Sequence, residues 1–483
     1  MNVVCVCCWF LLELIVCEAT LDIPLLIVVS FDGFRHDYLT KAPTPNFHRL
    51  IEEGVQGKWM KNAFITKTFP NHFTIATGLY EESHGIVGNE MFDPVFNETF
   101  HLNNSDPKWW DNGHVLPVWI ANQLASSRRH SGSMMWPGAH VKIHNQSAHY
   151  SLQYNCTIPW KERVDIALSW LTNESSPANC LFLYFEEPDA TGHRYGPDSK
   201  EVIKEIIKAD NITGYLIKKL EEYNLFKKTN LIILSDHGMS QVTAEHQINM
   251  DKIIDSALYK KFGNSPVWNI LPEKGHDQSV LEKLKNGSRS HKYTIYQKEE
   301  IPEIFHYRNN RRVMPILAVA DLGWGFIVEN ETVSKVGGQH GYNNSIPEMW
   351  PVFIARGPVF QHNYTTGLFS NVDLYPLMCH ILGVQCSRAI NGSLMHVWNM
   401  LNSNSVIIRK SSLPTIWIIG IVALLSFCII GGLIIIVITT KRKTVTKLEF
   451  DMTPMTSSTI RTDRNNSSIE EQQQLLLDPV FDD

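Results

Sequence analysis

Three apolar, strand-like runs in this chain each end in a carboxylate, and two of the three bring a histidine with it. Residues 25–30 lead into Phe31-Asp32-Gly33, residues 181–185 into Asp189 and His193, and residues 231–235 into Asp236-His237-Gly238. Open α/β sheets bind ligands beyond the carboxyl ends of their strands. Three such ends meeting in one crevice would gather carboxylate and imidazole groups, the donor set of a metal centre. Between the runs, residues 45–54, 70–77 and 200–223 read as helices; the last carries Val202, Ile206, Ile207, Leu216 and Leu220 at helical spacing. Strands alternating with helices predict an α/β body over residues 25–397, a doubly wound, mostly parallel sheet. Residues 248–336 interrupt the alternation with short strands and one helix at 278–285. They read as an inserted cap subdomain, or as a plain extension of the sheet.

The two ends follow different rules. Residues 1–19 are apolar and short, the pattern of a secretory signal peptide, although Glu13 interrupts the run. Residues 416–438 form an uninterrupted apolar stretch followed by Lys441-Arg442-Lys443. That is the length of a membrane-spanning helix, about 20 residues. A cleaved leader with one later span predicts a type I plasma-membrane protein whose folded body is extracellular. Residues 398–415 would be the stalk and 441–483 a polar cytoplasmic tail. In that tail Glu471 precedes Leu475-Leu476, a spacing that suggests an endocytic or endolysosomal address and equally fits a solvated tail. N-glycan acceptor triplets begin at Asn97, Asn103, Asn145, Asn155, Asn173, Asn211, Asn286, Asn330, Asn343, Asn363 and Asn391. Outside the leader and span, the cysteines are Cys156, Cys180, Cys379 and Cys386. Proximity in sequence favours pairing Cys379 with Cys386 and Cys156 with Cys180; free buried thiols are the alternative. A net charge of −6 leaves no basic footprint for a nucleic-acid partner.

Between the first two strands lies Thr66-Lys67-Thr68-Phe69-Pro70-Asn71-His72. Composition alone favours Thr68 as a plain helix N-cap. In the chemical reading, cations and a helix N-terminus activate its hydroxyl as a nucleophile and hold an anionic phosphate. The ligand count then closes. Asp32, Asp236 and His237 can take one zinc with Thr68 in the exchangeable position. Asp189, His193 and His340 can take a second with water in the open place. Mn²⁺ or Mg²⁺ also suit such ligands, but three histidines tilt the choice to zinc.

Five motifs together resemble the ectonucleotide pyrophosphatase/phosphodiesterase family of the alkaline phosphatase superfamily. They are Ser30-Phe31-Asp32-Gly33-Phe34-Arg35; Lys67-Thr68-Phe69-Pro70-Asn71-His72; Gly78-Leu79-Tyr80 with Glu82-Ser83-His84-Gly85-Ile86; Glu186-Glu187-Pro188-Asp189 with Gly192-His193; and Ser235-Asp236-His237-Gly238-Met239. The resemblance covers residues 25–395. It implies an alkaline-phosphatase-type fold, two Zn²⁺ on the six ligands above, and Thr68 as nucleophile. It implies that Asn89 holds a nonbridging phosphate oxygen. It further implies that Phe69 and Tyr154 sandwich a nucleobase, and that Trp136-Pro137-Gly138 forms a loop kept by nucleotide-cleaving members. Expected substrates are extracellular pyrophosphate-linked nucleotides such as NAD or dinucleoside polyphosphates, cleaved through a phosphothreonine to a nucleoside 5′-monophosphate. Cleavage of lysophospholipid or phosphocholine esters, or a surface glycoprotein acting by partner binding, are the competing readings. Larger members carry a nuclease-like domain with a calcium site; nothing here matches it, so no calcium site is expected.

Overall fold

The computed structural model describes residues 23–328, 336–403 and the helix Leu413–Phe450. The expected leader, the Asn330 triplet and the dileucine of the tail lie outside the described residues. Contacts divide the chain into a unit ending at Ile408 and a second one beginning at Arg409.

The first unit is built on an eight-stranded sheet. Its spatial order is Tyr364–Ser370, Val55–Lys61, Phe353–Arg356, Thr229–Leu234, Leu25–Phe31, Ala178–Phe185, His130–Met134 and Tyr150–Leu152. Phe353–Arg356 runs antiparallel to both neighbours; every other pairing is parallel. The mostly parallel sheet is thus as expected. The physical reason lies in the central strands. Leu26–Phe31 and Thr229–Leu234 are buried throughout, so both sheet faces are covered and the strands read as continuous apolar runs. Register sets the three ends level: Phe31 pairs with Phe185 and Ser30 with Leu234.

Helices Pro45–Glu52, Lys200–Glu222 and Trp160–Leu171 lie with the core cluster on one face of this sheet. Proline opens the first of them, where its missing N–H costs nothing. Asp210 accepts from the Phe47 N–H and the Asn46 amide, which fixes that helix start against the long helix.

Residues 248–336 contain a separate four-stranded antiparallel sheet, ordered Tyr259–Phe262, Val267–Pro272, Ile316–Ala320 and Tyr293–Gln297. Helix Asp277–Ser288 covers it with Val280 and Leu284, and Trp268, Ile270 and Tyr293 complete its own core. One buried ion pair ties this region to the body. Asp93 accepts from Arg311 and from buried Arg312, and Arg312 also donates to the Gly85 and Trp109 carbonyls. Burial raises the Asp93 carboxyl, but the two guanidinium groups outweigh it and hold it at about 2. The sign follows: the pair stabilises fully above the ordinary carboxyl range near pH 4 and is lost as pH falls towards about 2. Asp93→Asn strands a buried guanidinium. It is expected to cost about 3–5 kcal/mol, read as a lower midpoint in chemical denaturation at neutral pH.

The cysteines need correction. Cys379 and Cys386 lie in contact as thiols, without the expected disulfide between them. Cys156 and Cys180 cannot pair. Cys180 is buried near the start of its strand, level with Leu26 and Ser131. Cys156 is exposed, beside Tyr154 in a loop facing Glu186 at the strand's other end. The extended chain from 180 to 186 spans about 20 Å at ~3.3 Å per residue, and a disulfide bridges Cα atoms no more than about 7 Å apart. Among the acceptor triplets, Asn97, Asn103, Asn145, Asn155, Asn211, Asn286, Asn363 and Asn391 are exposed.

The second unit contains the helix Leu413–Phe450. Val422–Arg442 has a mean hydropathy of 2.9 and is long and apolar enough to cross a membrane.

Candidate active site and metal centre

The level strand ends deliver the acidic residues to one place. Asp32 follows Leu25–Phe31 directly, and Asp236 follows Thr229–Leu234 by two residues. Asp189 opens the short helix Asp189–Tyr195, whose turn carries His193. Gly33 makes the approach possible. It sits at φ +66°, and a Cβ there would lie 2.8 Å from the Asp189 Cβ. The antiparallel pair Ser240–Thr243 and Val336–Gln339 returns the chain so that His340 enters from the far side. In this way groups more than 300 residues apart in sequence meet.

The donors are oriented from behind. Asp236 Oδ1 accepts from the Gly33 N–H and the Ser235 hydroxyl. Asp32 Oδ2 accepts from the Tyr184 hydroxyl at 2.6 Å. The opposite oxygens, Asp32 Oδ1 and Asp236 Oδ2, together with Asp189 Oδ1, are buried without a hydrogen-bond partner. Each histidine shows the same asymmetry. Nδ1 faces a backbone carbonyl: Gly338 for His193, Gly238 for His237 and Thr66 for His340, at 2.8, 2.9 and 2.8 Å. This leaves Nε2 turned towards the carboxylates. His237 Nε2 lies 3.3 Å from Asp32 Oδ1 and 3.0 Å from Asp236 Oδ2. His340 Nε2 lies 3.6 Å from Asp189 Oδ1 and 3.1 Å from His193 Nε2. Buried orphan oxygens facing imidazole lone pairs are the arrangement a divalent cation satisfies.

Among the described residues two groups are compact enough to hold such an ion: Asp32, Asp236 and His237, and Asp189, His237 and His340. The first is the set expected from the sequence. The second contains His237 where His193 was expected. His193 stays at the rim, its side chain 41% exposed and its Nε2 3.4 Å from Asp189 Oδ2.

The electrostatics agree. Burial, then Asp236 and Asp189, push the Asp32 carboxyl well above its ordinary value. Burial and the neighbouring His237, Lys67 and His193 push His340 well below its own. For His237 burial lowers the value, but Asp236 outweighs it and raises it. Burial and these neighbours thus keep His340 neutral, the form in which an imidazole can ligate a metal.

Thr68 is not an N-cap. It is the first residue of helix Thr68–Thr77, Lys67 caps it without a side-chain bond, and Gly78 ends it in the left-handed region. The Thr68 hydroxyl instead points into the cluster, 3.3 Å from His237 Nε2. The cleft beside it is lined by Thr68, Phe69, Asn89, Trp136, Tyr154 and Tyr184. Asn89 accepts the Phe69 N–H on its side-chain carbonyl at 2.9 Å and lines the cleft. Phe69 packs against Phe100 and Trp110. Tyr154 is 53% exposed, an open aromatic face. Trp136 is only 1% exposed; its indole N–H donates to the His72 carbonyl and its ring meets Phe182, so it backs the wall.

Two further residues of the site, His72 and Tyr184, had no role in the sequence reading. His72 places Nδ1 against the Thr68 carbonyl at 2.8 Å and 3.4 Å from Asp236 Oδ2. Its spacing of four from Thr68 on one helix was the available signal. Tyr184 was visible only as a hydroxyl inside an apolar run.

Known proteins match this architecture. The family model "Type I phosphodiesterase / nucleotide pyrophosphatase" matches residues 26–343. Human ectonucleotide pyrophosphatase/phosphodiesterase family member 5 is 43% identical over 381 residues, 78% of each chain. The human bis(5′-adenosyl)-triphosphatase ENPP4 is 45% identical over 375 residues, 77% of this chain and 81% of its own. A solved structure of murine ENPP5, an inactive threonine-to-alanine variant in complex with AMP, is 44% identical and superposes with a TM-score of 0.75, covering 78% of this chain and all of that one. Strand ends, cluster and cleft therefore belong to a chain that is a member of the type I phosphodiesterase/nucleotide pyrophosphatase family, an enzyme of nucleotide pyrophosphatase/phosphodiesterase type.

Proposed function

We propose that this protein hydrolyses pyrophosphate-linked nucleotides outside the cytosol, with dinucleoside polyphosphates and NAD as first substrates, and releases a nucleoside 5′-monophosphate. The observation that carries the reading is the Thr68 hydroxyl facing the Asp/His cluster at one end of a cleft whose other end presents the open ring of Tyr154. The ENPP4 relatives named for bis(5′-adenosyl)-triphosphatase activity support the substrate class, as does the AMP held by the murine neighbour.

Asp32, Asp236 and His237 would hold one zinc, and Asp189 and His340 a second, which His193 would complete from the rim, where its Nε2 lies 3.4 Å from Asp189 Oδ2 and 3.1 Å from His340 Nε2. Two such ions supply charge stabilisation for the entering and departing oxygens of an in-line displacement. The chain's own residues do the rest. Thr68 Oγ bonds to phosphorus while the opposite P–O bond breaks; the electron pair leaves on the oxygen of the departing nucleotide or alcohol, and the Thr68 proton passes to that oxygen or to bulk water. The Asn89 amide donates to a nonbridging oxygen as charge develops there. Water then attacks the phosphothreonine, Thr68 recovers its proton, and the monophosphate leaves. Tyr154 and Phe69 grip the base by stacking, which tolerates any base.

Purified protein given diadenosine triphosphate, NAD and a phosphocholine ester in parallel is expected to release AMP from the first two and little choline phosphate from the third. Choline phosphate as the main product overturns the reading. Tyr154→Ala is expected to raise KM for nucleotides about 10-fold, the loss of one stacking face. With its ring already exposed, stability should hold, so the melting midpoint is the control. The extracellular placement is tested by glycopeptide mapping, where occupied acceptor triplets such as Asn97 and Asn211 are expected.

A further inference from the structure

We propose that Tyr184 is a positioning residue that joins the nucleoside slot to the Asp32 carboxylate, so that one side chain both lines the slot and aims a metal-facing oxygen.

The strand Ala178–Phe185 alternates its faces. Leu181, Leu183 and Phe185 enter the core cluster on one face of the sheet and Phe182 the cluster on the other, while Tyr184, at the margin of the first cluster, lines the cleft beside His72. Tyr184 therefore emerges one residue before the sheet edge, where a hydroxyl can reach the carboxylate of the next strand. It does so at 2.6 Å, the length of a charge-assisted O–H···O bond to Asp32 Oδ2. An ionised carboxylate only accepts, so the phenol is the donor. Occupying Oδ2 leaves Oδ1 as the orphaned oxygen that faces His237.

The ring has its own surroundings. Its centroid lies 5.2 Å from His72 and 6.0 Å from Tyr154, both edge-on. His72 holds the carbonyl of Thr68, and Tyr154 is the open face of the slot. Tyr184 is thus packed between the group that would bind the base and the start of the nucleophile's helix, and it lines the same cleft as both. A residue that only filled space would not place its one polar atom on a metal-facing carboxylate.

The inference rests on the proposed function, and its test separates the two. Tyr184→Phe removes one oxygen and keeps the ring. In the full-length protein, it is expected to leave KM for diadenosine triphosphate within about twofold and to lower kcat about 10- to 100-fold. Zinc retained after dialysis against a chelator, measured by elemental analysis, should fall in parallel. Tyr184→Leu should lose both ring and hydroxyl, raising KM as well. Melting of both variants in chelator, compared with wild type in chelator, checks that the fold is kept. Wild-type zinc retention and kcat in Tyr184→Phe overturn the proposal, and so does a change confined to KM, which would mean the hydroxyl reads substrate. Should wild-type protein cleave no nucleotide, the functional reading falls, and zinc retention alone then decides for or against Tyr184.

Discussion

Thr68→Ala is expected to leave the protein folded and able to bind a nucleoside monophosphate, while turnover drops on the order of 10⁴-fold or more, the loss seen when a nucleophile is removed from a unit that acts together. The fold should tolerate the change because the Thr68 side chain has no capping duty; Lys67 occupies that place. What disappears is the oxygen 3.3 Å from His237. Thr68→Ser restores that oxygen and should recover a substantial share of the rate. The checks are AMP release in steady state and intact-protein mass after acid quench. Wild type should show a nucleoside monophosphate adduct on the threonine and Thr68→Ala none. A variant keeping more than about a tenth of wild-type kcat, against the 10²-fold or greater cost of losing a nucleophile, contradicts Thr68 as the attacking group.

Asp236→Asn carries the second large effect. Its Oδ1 is fixed by Gly33 and Ser235, so the asparagine carbonyl inherits those bonds. The new amide then replaces orphaned Oδ2 and turns a donor towards the cluster. A cation facing a donor and one carboxylate fewer binds weakly. Zinc content should fall by about one equivalent, as expected when one three-ligand site is broken. Turnover should fall at least about 10²-fold. Excess zinc should restore part of it, which a misfolded variant would not show. Unchanged metal content in Asp236→Asn would remove that aspartate from the centre.

How much of this was legible in sequence depended on whether neighbours in the chain are neighbours in space. The central strands were legible because burial on both faces demands unbroken apolar runs, and parallel pairing then levels their carboxylate-bearing ends. The helices were legible for the same local reasons, to within a few residues at 45–52, 200–222 and 277–288. Thr68 misled as a cap, since a Thr ahead of a helix has the same composition whether its hydroxyl turns to the backbone or to His237. The Cys156–Cys180 pairing failed because sequence proximity ignores a strand that carries Cys180 to the opposite edge of the sheet. Trp136 belongs to a loop that the resemblance ties to nucleotide cleavage, yet its side chain is buried, with the indole N–H on the His72 carbonyl. The placing of His193 at the rim, with His237 between both carboxylate groups, follows from how Gly338 and Gly238 present their carbonyls, which no local pattern encodes. Tyr184 was hidden because which face of a buried strand meets the cleft is decided by the layers packed on it.

On the proposed function, Asp32, Asp189, His193, Asp236, His237 and His340 would enclose two zinc ions beside the Thr68 hydroxyl. Diffraction data collected from crystals of this protein on both sides of the zinc absorption edge test it directly. Two anomalous peaks between those six side chains, one of them next to Thr68 Oγ, are the predicted result. A map with no peak there, from protein that turns over nucleotide, would contradict it.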